Sequence, residues 1–330
     1  MGVPQKLYRY RALADDKMLE RELDTLRNSY LYSPPFEAMN DPMEAFYETG
    51  GPGDRIIDAM LMPAGKGTRE LYKILDDMIA KFALVSFSSA PDDLPLWAYY
   101  AGNFAGICLE FDTEDLTLSD FQGEKLKQVI YARDALPPLS MADFAPERTE
   151  EAVLARITRK RIEWAHEKEW RYVTGSVGPK HYVDDALRRV YLGPRIKPAH
   201  AQAILDILKN RPTEVLQGEI TGFELRFRTI KEATPMAKCE RVGSGKFVKS
   251  DLQLVEAELR QFLDVPFERL VAECARTAER PNLEEITDVY LSGVEKDSLF
   301  LWAKYRLRNG REVWHKTYFD RHLQKVTTPG

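Results

Sequence analysis

A chain of 330 residues suffices for one large domain or two ordinary ones, and 44% hydrophobic with 30% charged residues is an ordinary globular balance. The formal net charge of -5 excludes a sequence-wide attraction to nucleic acid or anionic membrane and leaves room only for a local basic patch. No run reaches the roughly 18 apolar residues of a membrane span. Residues 1–16 lack the apolar core of a secretory leader, and Lys6 stands where a myristoylation signal needs Ser or Thr. Cys108, Cys239 and Cys274 are isolated, and the five histidines show no ligand spacing. The expectation is a cytoplasmic protein with reduced thiols and no metal site.

Leu7–Arg11 alternates, which predicts a strand with Tyr8 and Tyr10 on one face and Arg9 and Arg11 on the other. Asp15 is placed to cap a helix to about Asn28, with Leu19, Leu23 and Leu26 as its buried stripe. Leu31–Ser33 reads as a brief strand halted by Pro34-Pro35, and Asn40-Asp41-Pro42 as a turn whose side chains bond their own backbone. Loops at 50–53 and 63–67 flank a short helix, and a second helix is expected over 71–81. Ala83–Ser88 reads as a buried strand, with strands also expected at 104–112 and 127–132. By themselves Ser86 and Ser88 read as strand-end serines, and Trp97, Tyr99 and Tyr100 as core aromatics.

Glu150 and Glu151 suit the first turn of a long helix whose apolar stripe is Val153, Ile157 and Trp164. Arg159, Lys160 and Arg161 are assigned to its solvated face. Near Glu167 the period changes from 3.6 to 2, so the helix should run directly into a strand. Glu167, Glu169 and Arg171 would then project from one face, either as charges facing water or as a cluster that stabilises positive charge at a fixed point. Further on come a strand at 189–192, a turn at Gly193-Pro194, a helix from Pro198, and an alternating strand 223–228 with Phe223, Leu225 and Phe227 inward. Periodicity fails between 233 and 246, which divides the chain into 1–232, a linker 233–247, and a tail 248–330. In the tail, helices are expected at 251–263 and 267–277, and strands at 286–291, 299–307 and 312–319 with an Asn309-Gly310 hairpin. The tail has no catalytic set and reads as a unit for partner recognition, target recognition or oligomerisation.

Several collinear pieces carry a resemblance: Leu7-Tyr8-Arg9-Tyr10-Arg11, Leu31-Tyr32-Ser33 with Asn40-Asp41-Pro42, and Ser86-Phe87-Ser88. Leu96-Trp97-Ala98-Tyr99-Tyr100-Ala101 with Gly106 and Phe111-Asp112, then Glu167-Lys168-Glu169-Trp170-Arg171 with Trp164, and Tyr191-Leu192-Gly193 complete it. Residues from about 7 to 230 thereby resemble a mostly bacterial family, domain of unknown function 2971. Its layout is similar to that of ADP-ribosyltransferases. That likeness implies an α+β fold whose core is a split mixed or antiparallel β-sheet with flanking helices, binding NAD as substrate. It assigns Glu169 as the catalytic glutamate and Glu167 as the one nearer the acceptor. Cofactor contacts would come from Tyr8, Arg9, Tyr10 or Arg11, from Ser86, Ser88, Trp97, Tyr99 or Tyr100, and from Arg171. Two Tyr-Arg steps leave the first motif's residue ambiguous. The implied role is a bacterial toxin or anti-phage defence effector, with a protein or nucleic-acid acceptor and a regulatory partner on the tail.

The chemistry is coherent. Cleaving the nicotinamide–ribose bond develops positive charge at the sugar carbon, which a fixed carboxylate stabilises where water is excluded. Arginine forks match a pyrophosphate, and aromatic rings stack on nicotinamide. Two alternatives stand beside it: a metal-dependent nuclease using Asp41, Asp92, Asp93 or Glu110, and a nucleotide sensor without turnover.

Overall fold

The computed structural model describes residues 2–39, 41, 43, 73, 77, 79–137, 143, 146–248, 255–293 and 297–326. Asn40, Pro42, the two glycine loops and most of the helix expected over 71–81 lie outside the described residues. The fold is α+β, with α3 (Thr113–Leu116), α5 (Pro198–Leu208) and an antiparallel pair of β2 (Tyr30–Ser33) with β9 (Gly178–His181) set about an eight-stranded mixed sheet. Its strands are β1 (Lys6–Arg11), β3 (Ala83–Ser88), β4 (Ile107–Asp112), β5 (Lys125–Gln128), β8 (Glu169–Thr174), β10 (Leu187–Leu192), β11 (Glu214–Thr221) and β12 (Glu224–Lys231). They lie in the order β12-β11-β10-β4-β1-β3-β8-β5, and only β10 with β11 is a parallel neighbour pair.

The sheet is split at its middle. From Lys6 to Arg11, β1 is matched residue by residue with β4, but it meets β3 at one position, Tyr8 opposite Ser88. On each side of the split apolar alternation sets the layers. Leu7 enters the main core, while Tyr8 and Tyr10 pack with Trp97, Cys108 and Tyr191 on the other face. Helix α1 (Asp16–Asn28) begins as its sequence demands, with the Met18 amide donating to Asp15 at 2.7 Å, and it ends on a left-handed Ser29. Asp41 accepts the Met43 amide at 2.9 Å, the self-bonding expected of that turn residue.

Several expected elements are rearranged. The strand expected from Phe104 starts only at Ile107, because Asn103 and Phe104 adopt left-handed backbone after α2 (Leu94–Tyr99). The expected strand 127–132 is two short ones: β5 joins the main sheet, while β6 (Ile130–Ala132) pairs with β7 (Arg159–Arg161). Consequently α4 (Pro146–Ile157) does not run into β8. Between them lie β7, a 3-10 turn at Ile162–Glu167, and a left-handed Lys168. Glu150 and Glu151 fall in the second turn of α4. Phe223 sits fully exposed in the β11–β12 turn, leaving Leu225 and Phe227 to face inward. Gly106 and Gly193 permit a close backbone approach: a Cβ on Gly193 would lie 2.2 Å from the Phe104 carbonyl oxygen.

The tail comprises α6 (Glu256–Phe262), α7 (Phe267–Ala278) and an antiparallel sheet of β13 (Leu283–Leu291), β14 (Leu299–Arg306), β15 (Glu312–Phe319) and β16 (Lys325–Val326). Gly310 takes the left-handed conformation that the Asn-Gly hairpin calls for. The tail shares one apolar cluster with the main sheet and is tied to it by charges. Arg280 reaches Asp115 at 2.9 Å and Asp185 at 2.7 Å, while Arg308 reaches Asp184 at 2.7 Å. No helix among the described residues is long and apolar enough to cross a membrane.

Burial works against the charge of Arg280, but Asp185 and Asp115 overcome it and hold the guanidinium well above its ordinary pKa. Removing the cation strands Asp185 and leaves Asp115 to Arg188, so Arg280→Ala is expected to lower unfolding free energy by about 3–5 kcal/mol in urea melts. Combining it with Asp115→Leu and Asp185→Leu should recover part of that loss.

Candidate functional site

A cavity of about 230 Å³ opens along the split between β1 and β3. One wall is β1 itself, which contributes Tyr8, Arg9, Tyr10 and Arg11, and the other carries Ser86 and Ser88 of β3. Tyr100, Glu167 and Glu169 close it together with Lys160. Four separated sequence segments thus meet at one place because β1, β3 and β8 are neighbours in the sheet.

The carboxylates are gathered by a lysine. Lys160 Nζ donates to Glu167 at 2.6 Å and to Glu169 at 2.9 Å. Arg171 grips Glu169 from behind with two hydrogen bonds, of 2.8 and 2.9 Å, and the Tyr100 hydroxyl donates to Glu167 at 2.6 Å. All four charged groups are at most 7% exposed. Glu167 and Glu169 are therefore not two rungs of one strand face. Glu169 begins β8, Glu167 ends the 3-10 turn, and the left-handed Lys168 between them turns both acids toward Lys160.

Burial opposes ionisation of Glu169, but the charge and hydrogen bonds of Arg171, aided by Lys160, hold its pKa down to about 2. Burial wins at Glu167, which is raised despite Lys160 and Tyr100. Arg9 is lowered to about 9, first by burial and then by its neighbour Arg11, with Glu22 opposing. Its guanidinium donates to the Ser86 carbonyl at 3.0 Å, and no carboxylate among the described residues lies within ion-pair distance of it. Arg11, by contrast, is paired with Glu22. A half-buried guanidinium with no acid in ion-pair reach is a place where a ligand anion is favoured. The Ser86 hydroxyl lies beside Glu169 and favours its ionised form, yet completes no hydrogen bond of normal geometry.

Three of the expected contact residues stand away from the cavity wall. Trp97 is fully buried, edge-on to Tyr10 at 5.4 Å, with its Nε1 donating to the Pro91 carbonyl. Tyr99 is 74% exposed because the α2 face that turns Leu96 and Trp97 inward turns Tyr99 outward. Arg171 has no exposed surface and acts through Glu169 and the Ile157 carbonyl. Lys160, assigned from sequence to a solvated face, is the residue that was missed. Read at period 2, the run Arg159-Lys160-Arg161 is a strand that turns its central residue inward, as β7 does.

The carboxylates of the nuclease alternative are dispersed. Asp93 caps α2, Asp41 holds the Met43 amide, and Glu110 binds Tyr191 and Lys6. Among the described residues no group of three His, Cys, Asp or Glu side chains could share a metal ion. A cavity of about 230 Å³ takes a fragment the size of a base or a nicotinamide with part of its ribose; the remainder of a dinucleotide would extend outside.

The acid network has a pH signature. A depressed carboxylate contributes stability that is present above its unfolded pKa and lost as pH falls through the folded value. For Glu169 that window runs from about 4.5 to about 2. Glu167, raised, acts oppositely, its unfavourable contribution growing as pH rises from 4.5. The melting temperature is expected to drop steeply between pH 4.5 and 2, and Glu169→Gln should flatten that limb while lowering the plateau by about 3–5 kcal/mol in unfolding free energy.

No curated protein and no solved structure matches the chain. Residues 96–172, from Leu96 of α2 to Tyr172 of β8, match a family described as a protein of unknown function, DUF2971. The matched segment supplies Leu96, Tyr100, Lys160, Glu167 and Glu169 to the cavity. Over this segment the chain carries the DUF2971 signature, and the resemblance read from its motifs holds there.

Proposed function

We propose that the split-sheet cavity binds NAD and that the protein transfers its ADP-ribose to an acceptor, releasing nicotinamide. The observation that carries this reading is the meeting of Tyr8–Arg11, Ser86, Ser88, Tyr100, Glu167 and Glu169 around one cavity. Arg9, half-buried and with no acid in ion-pair reach among the described residues, suits the pyrophosphate, with the aromatic rings of Tyr10 and Tyr100 beside the base-sized space.

In this reaction the bond between the ribose carbon and the nicotinamide nitrogen breaks, and its electron pair leaves with nicotinamide. The acceptor's nucleophile forms the new bond and gives up a proton. Glu169, ionised and fixed, faces the developing cation. Glu167, with its raised pKa and its link to the Tyr100 hydroxyl, is the group suited to take the acceptor proton. The protein would act in the cytoplasm as a toxin or defence effector on a protein or nucleic-acid acceptor, with the tail engaging a regulatory partner.

A second reading has its own support. Arg171 and Lys160 already compensate Glu169, which weakens its field at a substrate cation and suits a sensor that binds nucleotide without turning it over. Nicotinamide release from NAD by the purified full chain decides between them. The transferase reading expects release by wild type, with a loss of about 10²–10³-fold for Glu169→Gln. It expects a weaker apparent affinity for Arg9→Ala. Since Glu169→Gln strains the fold, Glu167→Gln serves as the companion variant and melting curves accompany both. NAD bound but never cleaved would establish the sensor; no binding at all would remove both readings.

A further inference from the structure

The outer face of the tail sheet is an aromatic platform studded with lysines. Along β14 the inward residues Leu299, Leu301, Ala303 and Tyr305 are buried, so Phe300, Trp302 and Lys304 point the opposite way. Register places Tyr290, Phe300 and Tyr318 in one row across β13, β14 and β15, with ring centroids 6.3 and 5.9 Å apart. Trp302 lies beside Trp314 at 5.3 Å. Tyr290 and Trp314 are 46% and 44% exposed, far more than packing alone requires of rings this large.

Lysines are interleaved with these rings. Lys316 Nζ sits 4.7 Å from the centre of Phe300 and 5.0 Å from that of Trp302, and Lys304 sits 5.5 Å from that of Trp314. Acids share the face: Lys304 has Glu312 at 3.4 Å and Glu285 at 4.0 Å, and Asp288 stands opposite Trp302. Glu285 and Glu312 lie on the rows toward Arg306, while Asp288 ends the Trp302–Lys316 row two strands away from Lys316. Lys316 forms no ion pair among the described residues, so its charge remains available above two rings.

We propose that this face binds single-stranded nucleic acid, with bases stacked on the Trp302, Trp314 and Phe300 rings and backbone phosphate at Lys316. A purely apolar face would call for a protein partner. Rings alternating with a lysine that has no ion pair among the described residues match a ligand that is itself flat apolar rings on an anionic chain. Duplex hides those ring faces, so the preference is for single strands. The proposal is independent of the NAD reading, since it involves neither the cavity nor its residues.

The test is fluorescence anisotropy of labelled 15-mer oligo(dT) and oligo(U), each against a duplex of equal length, using the full chain. Single strands are expected to bind at low salt and to quench tryptophan emission. Trp302→Ala and Trp314→Ala should each weaken binding roughly 5–150-fold, the range for losing one stacked base. Lys316→Glu, at an exposed position and checked by a melting curve, should lower the salt slope by about one or more. Three outcomes would overturn the proposal: no oligonucleotide binding, duplex held as tightly as single strands, or binding indifferent to all three variants. Concentration-dependent dimerisation abolished by Trp314→Ala, without oligonucleotide binding, would reassign the face to a second copy of the chain.

Discussion

The Lys160 ammonium is the interaction on which the site depends. Two buried carboxylates this close together repel, and a cation between them offsets that repulsion for both. Lys160 supplies that cation from β7, an element of three residues belonging to a separate two-stranded sheet. Arg171 holds Glu169 from the opposite side. The backbone serves this arrangement: the left-handed Lys168 is the turn that lets Glu167 and Glu169 reach one ammonium from two different elements. Shifting β7 by one residue would send Lys160 to solvent and bring an arginine inward.

Much of the framework was legible from local patterns. Asp15 as a cap, the Tyr/Arg alternation of β1, the buried run Ala83–Ser88 and the Asn-Gly hairpin each rest on chemistry confined to a few residues, and each is present. The resemblance holds over residues 96–172, and the sheet is α+β and mixed. What could not be read locally was set by long-range pairing. Nothing near residue 130 announces that β5 and β6 must part to serve two sheets. Nothing near residue 160 says that a lysine between two arginines has a buried acid to meet.

The tail and the main sheet are more closely bound than a loss of periodicity suggests. Residues 233–247 lack periodicity, yet Gly243 packs its backbone against Leu283, where a Cβ would lie 2.2 Å from the carbonyl oxygen. Lys246 extends alongside Glu285. Here glycine marks close approach of two backbones, a different use from flexibility. Arg280 and Arg308 then reach across with charge to the acids of residues 115, 184 and 185.

The meeting of β1 and β3 at Tyr8 and Ser88 has a further consequence. Past that point β1 is paired with β4 on one side and, among the described residues, with no strand on its β3 side, so the middle of an eight-stranded sheet contains an internal edge. Exposed sheet edges are ordinarily a hazard because they recruit foreign strands. Walled inside a cavity, this one would offer a small guest the peptide amides and carbonyls that β1 turns toward β3 past Tyr8, alongside the tyrosine and arginine side chains of the same strand.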